Sequence, residues 1–392
     1  MTFMNFGVLA LSFCKALLST GNVLLVAVTA LIGQSLSPDP TWVTLPVAFQ
    51  FIGLMCATIP ASLIMDKIGR KNGFYLGNAL GIVGAILCIQ ALYSASFWLF
   101  CVGTFFLGIG IGFGTLYRFA AVEMCEKSYR AKAISIIMAG GVLAAIAGPN
   151  LAIFSQDLVE GTPFVGAFWG LLVLYIAAML VLAIVEFPPR VIHAPDVVTR
   201  PVIDIILQPI FLVSVVAAMV SYVVMNLLMT ATPLAMHHHG YHFNSSAFVI
   251  ELHALGMFLP GFFTGDLIKR FGTIRILIIG AFIMLACIGI NLNGQSELHF
   301  SVSLFLLGLG WNFMFVSATH LVTGAYSEAE KPKAQAANEF LIFSMVTFSA
   351  LASGWLEATL GWHIMNLICI PVVLFAIAIV IYFDKKQAFN IA

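Results

Sequence analysis

Two basic side chains interrupt long apolar stretches of this sequence. Lys15 falls about eight residues, or about 12 Å of helix rise, into the first stretch. Arg118 lies roughly one turn from the end of another stretch. A charge at that depth in a membrane normally faces a cavity or a partner. We predict that Arg118 pairs with Glu123 or Glu339 in a gate, or that Arg118 and Lys15 form an anion site. Snorkelling of both side chains to the surface is the alternative.

Three titratable side chains are candidates for proton coupling. Glu251 and His253 are close together early in one apolar stretch, and His320 lies in a later one. Carboxylates and imidazoles in membrane segments commonly relay protons. A carboxylate that faces water at the membrane surface, and a His that is only hydrogen-bonded, are the alternatives.

A cluster of imidazoles follows another apolar stretch, at His237, His238, His239 and His242. Imidazole clusters can bind transition metals. No Cys or acidic ligand accompanies them, so a solvated loop is favoured and a metal site is the weaker alternative. The seven Cys show no CxxC spacing and read as small buried hydrophobes. We expect no cofactor.

The composition of the chain indicates what kind of structure carries these residues. Hydrophobic residues make up 61% of the 392 residues and charged residues 9%, which indicates a polytopic membrane protein. The net charge is zero, so nucleic-acid binding has no electrostatic basis. Segments of about 20 apolar residues can cross a bilayer as helices. Twelve such spans are predicted, at 7–33, 43–65, 73–94, 97–122, 132–155, 163–187, 206–232, 246–265, 274–293, 299–323, 335–356 and 361–383.

The positive charges predict the orientation of these spans. The sequence has 17 Lys and Arg. All of them except Lys15 and Arg118 fall in short polar clusters, which lie after even-numbered spans or just before odd-numbered ones. Positive charge is retained on the cytoplasmic side. We therefore expect both termini in the cytoplasm of a bacterial cell, with the chain in the inner membrane.

The sequence also repeats itself. The longest polar gap, 188–205, is predicted to be a cytoplasmic linker between two six-span halves, 1–187 and 206–392. Gly108-x-Gly110 recurs as Gly308-x-Gly310 at the corresponding place in the second half. Internal duplication of this kind is common in secondary transporters.

The segment from Ser62 to Lys71, SLIMDKIGRK, resembles the loop signature G-x-L-a-D-R-x-G-R-K of the major facilitator superfamily. The resemblance implies an all-α fold of twelve transmembrane helices in two pseudo-symmetric halves. It also implies that Asp66, with Gly69 and Arg70, latches the start of span eleven, where a helix dipole favours a carboxylate. Gly69 permits the tight turn. The second copy has Lys269 in place of the Asp, so we expect no matching latch there.

Two further features concern antiport. Drug:proton antiporters of this family have an Arg where this chain has Thr104. Span five carries Ala144-x-x-x-Gly148-Pro149, which partly matches an antiporter signature. The glycines of span four are expected to serve close helix packing.

Spans one and seven line the cavity in this family, and Asn22 and Asn226 are repeat-related polar residues midway along them. The residues predicted to form the cavity wall and bind substrate, together with Lys15 and Arg118, are Asn22, Gln50, Tyr117, Tyr222, Asn226, Trp311 and Asn312.

These features predict a secondary active transporter, not an enzyme, that moves a small polar or anionic metabolite by alternating access. Coupling to protons or exchange is expected. A drug or metabolite efflux antiporter is the main alternative, followed by a transition-metal-linked transporter and a non-transporting sensor. The expected partners are the small-molecule substrate, protons and membrane lipid, and the chain is expected to act as a monomer.

Overall fold

The computed structural model describes residues 6–124, 130–187, 199–327 and 329–386. Lys127 and Arg190 of the basic clusters, and residues 188–198 of the predicted linker, lie outside these ranges. No strand occurs among the described residues, and the regular structure is helical. A chain in lipid forms helices because its backbone groups must find their hydrogen-bond partners within the segment.

Fourteen α-helices follow one another along the described part of the chain. Their bounds are α1 Phe6–Leu36, α2 Leu45–Ile68, α3 Arg70–Tyr93, α4 Phe97–Gly114, α5 Tyr117–Glu123, α6 Arg130–Ser155, α7 Val165–Ala183, α8 Val202–Ile206, α9 Pro209–His238, α10 Phe243–Phe258, α11 Gly261–Phe271, α12 Thr273–Asn293, α13 Glu297–Val322 and α14 Lys331–Lys385.

Nine helical segments of the described chain are long and apolar enough to cross a membrane. The pair α10 and α11 forms a tenth, bent by 42° at its break. Helix α14 has 55 residues, and its backbone leaves the helical region at Gly361, where φ is 74°. Such a helix would be about 80 Å long, far more than one bilayer needs, so it contains two spans. With α6, which has 26 residues, the arrangement is consistent with the twelve predicted spans.

The chain divides into two compact units. Unit 1 comprises Met1–Val191 and Met236–Glu251, and unit 2 comprises Ile192–Ala235 and Leu252–Ala392. The segment Met236–Glu251, which contains the end of α9 and the start of α10, thus belongs with the helices of the first half of the sequence.

Glycines bring neighbouring helices of unit 1 close together. A Cβ on Gly108 of α4 would collide with the backbone of Gln50 in α2, and a Cβ on Gly53 of α2 would collide with the backbone of Phe105 in α4. Gly110 lies on another side of α4, where a Cβ would lie 3.2 Å from the Cα of Gly81 in α3. Helix α4 is therefore packed between α2 and α3, and the predicted packing role of its glycines is confirmed.

The sequence repeat reappears in the packing of unit 2. Gly308 of α13 faces the backbone of α10, where a Cβ would lie 2.8 Å from the nitrogen of Met257. The second glycine, Gly310, faces α12, where a Cβ would lie 2.8 Å from the carbonyl oxygen of Gly280. Each half of the sequence therefore uses a Gly-x-Gly pair to seat one helix between two others.

The predicted turn at Gly69 has the geometry that needs glycine. Gly69 has φ 87° and ψ 159°, and its N–H donates to the carbonyl of Met65 at 2.9 Å. Gly272 occupies the same place between α11 and α12, with φ 87° and ψ 149°. A positive φ is accessible to glycine without a steric penalty. The two loop motifs therefore share a backbone conformation even though Asp66 is replaced by Lys269.

Candidate functional site

The two cations predicted inside apolar stretches lie near each other in unit 1. Lys15 of α1 is half-buried and within electrostatic reach of Arg118 in α5. The Arg118 guanidinium is exposed and lies 4.8 Å from the centre of the Phe119 ring. Helix α4 ends at Gly114, so Arg118 lies in the separate short helix α5. Two like charges of unit 1 are thus brought within electrostatic reach of each other.

Glu123 is engaged with the loop motif. Its carboxylate accepts hydrogen bonds from Arg70 Nε at 3.1 Å and from a terminal guanidinium nitrogen of Arg70 at 2.6 Å. Two-pronged pairs of this kind fix geometry as well as charge. The pair ties the start of α3 to the end of α5. Asp66 is exposed in the last turn of α2, and its latch to the start of α14 stays a prediction, as do the Arg118 pairs with Glu123 and Glu339.

Lys71 has a role that the sequence did not reveal. Its ammonium group donates to the carbonyl oxygen of Ala183, the last residue of α7, at 2.9 Å and to that of Val185, two residues further on, at 3.0 Å. The last carbonyls of a helix lack intrahelical donors and attract cations. The loop motif is thus bound both to α5 and to the end of α7.

Three of the polar residues predicted for the cavity wall lie within unit 1. Gln50 of α2 is buried and donates to the side-chain oxygen of Asn22 in α1 at 3.1 Å. Tyr117 is fully buried, stacks on Phe74 with ring centres 3.9 Å apart, and accepts a hydrogen bond from Asn78 at 3.3 Å. The structure therefore brings Asn22 and Gln50 together and places Tyr117 in a separate aromatic contact.

Four aromatic side chains form a cluster in unit 2. The Trp311 ring stacks on Phe315 with centres 4.9 Å apart and planes 10° apart. The Tyr222 ring stands edge-on to Trp311 at 5.3 Å and to Phe315 at 5.4 Å. Phe343 of α14 completes the group at 5.8 Å from Tyr222. We call these four residues the aromatic cluster. The contribution of Phe315 and Phe343 was obscured in the sequence by the presence of 34 phenylalanines.

Buried polar groups accompany the aromatic cluster. Asn226 lies one turn after Tyr222 on α9, and its amide nitrogen donates to Ser349 at 2.9 Å and to the carbonyl of Val346 at 3.4 Å. Its side-chain oxygen lacks a hydrogen-bond partner in the described part of the chain, as does the Trp311 indole nitrogen. Glu339 of α14 lies within electrostatic reach of the Tyr222 hydroxyl.

Asn312 is placed differently from its neighbour Trp311. Its oxygen accepts from Thr264 of α11 at 2.6 Å, and its nitrogen donates to the carbonyl of Met257 at 2.8 Å. That carbonyl lies at the break between α10 and α11, where a helix loses its own partners. Asn312 therefore stabilises the bend of this span.

The candidate proton-coupling residues lie in three different settings. Glu251 is partly buried and accepts a hydrogen bond from Asn150 of α6 at 2.7 Å, both in unit 1. His253 is buried in unit 2, with Nδ1 2.8 Å from the carbonyl of Leu304. Because a carbonyl only accepts, Nδ1 carries the proton, and Nε2 is left without a partner among the described residues. His320 is exposed, 3.2 Å from the Thr273 hydroxyl.

The histidine-rich segment is only partly a loop, because His237 and His238 form the last turn of α9, and it contacts α1. His238 Nε2 lies 3.1 Å from the Gln34 amide nitrogen, and the rings of His237 and His238 are 6.4 Å apart. His239 and His242 are exposed. Within the described ranges, the structure holds no group of three or more His, Cys, Asp or Glu that could bind a metal ion.

The start of α10, which belongs to unit 1, is also held by an aromatic pair. The Phe243 ring stands edge-on to Phe164, with centres 4.9 Å apart. Phe164 has φ 66°, a conformation that costs free energy in a bulky residue. Nearby, Gln156 donates to the Asn244 side chain at 3.5 Å. Sequence patterns gave no sign of this strained residue, because φ depends on the fold of the whole loop.

An ion-pair network holds the end of the predicted linker to the loop before α14. Glu330 is buried and accepts from Arg200 at 2.8 and 2.7 Å and from the Ser327 N–H at 3.0 Å. Hydrogen bonds from Arg200, and then from Ser327, hold the pKa of the Glu330 carboxyl well below its usual range. Lys333 donates to Thr199 at 2.7 Å and to the carbonyl of Arg200.

Comparison with known proteins identifies the family. The family model described as Major Facilitator Superfamily matches residues 9–292 and 214–389. The riboflavin transporter RfnT of Brucella anthropi is 37% identical over 371 residues, which cover 93% of this chain and 92% of that protein. The multidrug resistance protein MdtL of Escherichia coli O81 is 27% identical over 334 residues, 83% of this chain and 81% of that protein.

A solved structure shows the same fold. The transporter FucP, crystallised in its outward conformation, matches with a TM-score of 0.62 over 96% of this chain and 98% of that chain, at 16% identity. The apolar helices and these relatives indicate a multi-pass bacterial membrane protein. The chain belongs to the major facilitator superfamily and has its all-α transporter fold.

Proposed function

We propose that this chain is a secondary transporter for riboflavin or a closely related flavin. The observation that carries the proposal is the 37% identity to the riboflavin transporter RfnT over 93% of this chain. Riboflavin is a small polar metabolite, so it falls within the cargo class that the sequence predicts. Because it carries no charge at neutral pH, the proposal favours a polar cargo over an anionic one.

The chemistry of unit 2 supports this cargo. A flavin presents a broad planar ring, and such rings bind to aromatic side chains by stacking and edge-on contact. The aromatic cluster offers an indole, a phenol and two phenyl rings in fixed mutual orientation. Small-molecule sites combine surfaces of this type with a few well-placed polar groups.

Transport would proceed by alternating access, with 1–187 and 206–392 as the two alternating halves and both termini in the cytoplasm. Coupling to protons would use Glu251 and His253. In this proposal, Arg118, which lies beside Lys15, serves a gate with Glu339 as its partner. An anion site there is the alternative if the cargo is a phosphorylated flavin.

Efflux is the second candidate. It is favoured by the 27% identity to MdtL and by the Gly148-Pro149 element of α6. A Cβ on Gly148 would lie 2.8 Å from the carbonyl oxygen of Thr20 in α1, so this part of the antiporter signature also serves close packing.

Expression in a bacterial strain that can neither synthesise nor import riboflavin tests the proposal. Uptake should let the cells grow at low external riboflavin, whereas cells with the empty vector need far more. If cells that express the protein need even more external riboflavin than cells with the empty vector, the protein exports it. Equal requirements, with the protein present in the membrane, would contradict flavin transport.

A further inference from the structure

We propose that Trp311, Tyr222 and Asn226 form the subsite for the fused ring of the cargo, a planar heteroaromatic system with an imide edge. The inference rests on the proposed flavin transport and assigns it to particular atoms. All three residues belong to unit 2, on helices α9 and α13.

The aromatic rings around Trp311 are held in a fixed arrangement. Trp311 is held by stacking on Phe315 and by the edge of Tyr222, with interplanar angles of 10° and 89°. An indole that is fixed from two sides has little freedom left to lose when a ligand binds. Tyr222 and Phe315 are only half-buried, so the aromatic cluster is not sealed inside unit 2.

Two buried polar groups beside these rings have no hydrogen-bond partner among the described residues. The Trp311 side chain is 8% exposed, yet its N–H has no acceptor in the described ranges. Asn226 is fully buried, and its side-chain oxygen has no donor there either. Buried polar groups in proteins are almost always paired, and an unmet group in a membrane is costly. A ligand that supplies one acceptor and one donor would satisfy both groups.

Helix geometry relates these groups. Tyr222 and Asn226 are four residues apart on α9 and therefore share one face. The Trp311 ring contacts Tyr222, so the Trp311 side chain lies beside that face of α9. The hydroxyl of Thr230, one further turn along α9, likewise has no hydrogen-bond partner among the described residues. The face thus presents polar groups at one-turn intervals beside an aromatic surface.

The imide edge of a flavin ring has the hydrogen-bonding groups that complement the Trp311 N–H and the Asn226 oxygen. In the flavin ring an N–H lies between two carbonyl groups. The N–H would donate to the Asn226 oxygen, and a neighbouring carbonyl would accept from the Trp311 indole. A site built to hydrogen-bond a ligand rejects analogues that lack the group, because its own polar atoms stay unpaired.

Fluorescence titration of the full-length protein in lipid nanodiscs tests the subsite, with riboflavin and N3-methylriboflavin as probes. Trp311→Phe keeps an aromatic ring and removes the N–H, and Trp355→Phe is the matched control on the exposed side of α14. Losing one hydrogen bond should raise the riboflavin Kd about tenfold in Trp311→Phe and leave the control unchanged. N3-methylriboflavin should bind the unaltered protein about tenfold more weakly than riboflavin.

The outcomes separate the two levels of the proposal. If the protein binds riboflavin, and neither Trp311→Phe nor N3-methylation weakens binding, the subsite is wrong and flavin transport stands. Ordered water would then satisfy the two groups. If the unaltered protein does not bind riboflavin, flavin transport and the subsite both fail. If Trp311→Phe does not fold, the N3-methyl comparison on the unaltered protein decides.

Discussion

Asn150 donates a hydrogen bond to the carboxylate of Glu251 at 2.7 Å, which joins α6 to α10 within unit 1. The same Asn150 nitrogen also lies 2.8 Å from the carbonyl of Ile146, so its orientation is fixed by its own helix. A carboxylate that is partly buried and held by a neutral amide has no countercharge in that bond. This arrangement suits a group that exchanges protons during transport.

Replacing Glu251 by Gln should separate transport from proton coupling. The amide keeps an acceptor for Asn150 but cannot titrate, so exchange should continue while accumulation driven by a pH gradient is lost. Flavin uptake into proteoliposomes, with and without the gradient, measures both. Glu297→Gln, at the exposed start of α13, is the control. Full accumulation in Glu251→Gln would exclude this carboxylate from coupling.

The pair Phe164 and Phe243 should stabilise the start of α10. Edge-on aromatic pairs contribute about 0.5–1.5 kcal/mol beyond burial. A double-mutant cycle of Phe164→Ala, Phe243→Ala and both together should therefore show a coupling free energy of this size in thermal or denaturant unfolding. Additive effects of the two substitutions would mean that the contact contributes nothing.

The strained backbone at Phe164 allows a separate test. Phe164→Gly relieves the positive φ, whereas Phe164→Ala keeps it. Both lose the ring, so the glycine variant should unfold at a higher temperature than the alanine variant. The opposite order would indicate that the positive φ costs nothing in this loop.

Glu330 should make stability depend on acid. Its folded pKa is lowered, so its contribution is present above the unfolded pKa of about 4.3 and disappears as the pH falls through the folded value. Glu330→Gln should lower the unfolding temperature at pH 7, and the difference from the unaltered protein should shrink as the pH falls below about 4. A difference that does not change with pH would contradict a charge-based role.

Two glycines offer a matched test of close helix packing. A Cβ on Gly108 would meet the backbone of α2, whereas Gly289 of α12 has no atom within 4 Å of that position in the described structure. Gly108→Ala should destabilise the protein by about 1–3 kcal/mol. Gly289→Ala should be neutral or stabilise by up to about 1 kcal/mol, because Ala favours helices. Equal effects in thermal unfolding would contradict close packing at Gly108.

Much of the fold was predictable because it depends on local patterns. The length of the apolar segments predicts the spans, and Gly69 predicts the tight turn between α2 and α3. The Gly-x-Gly pairs indicate close packing of α4 and α13 against their neighbours. The end of the second-last span was not predictable in this way, because the last two spans form one helix, α14, whose backbone leaves the helical region at Gly361.

The candidate site was less predictable because it depends on contacts between distant residues. Asn226 stood out as a polar residue within a span, but its bond to Ser349 joins residues 123 positions apart. The sequence offers Glu123 as one of two candidate partners of Arg118, and it gives no sign of the bond from Arg70 to Glu123 that the structure contains. Asn150 gave no signal beyond following Pro149, because its partner Glu251 comes from the other half of the chain.

Flavin transport is tested most directly by uptake of labelled riboflavin into proteoliposomes that contain the purified protein. We expect saturable uptake that unlabelled riboflavin competes away. This uptake should be strongly reduced in Trp311→Ala and absent from protein-free liposomes. Uptake no greater than in protein-free liposomes, at any imposed pH gradient and with protein that unfolds cooperatively, would contradict flavin transport.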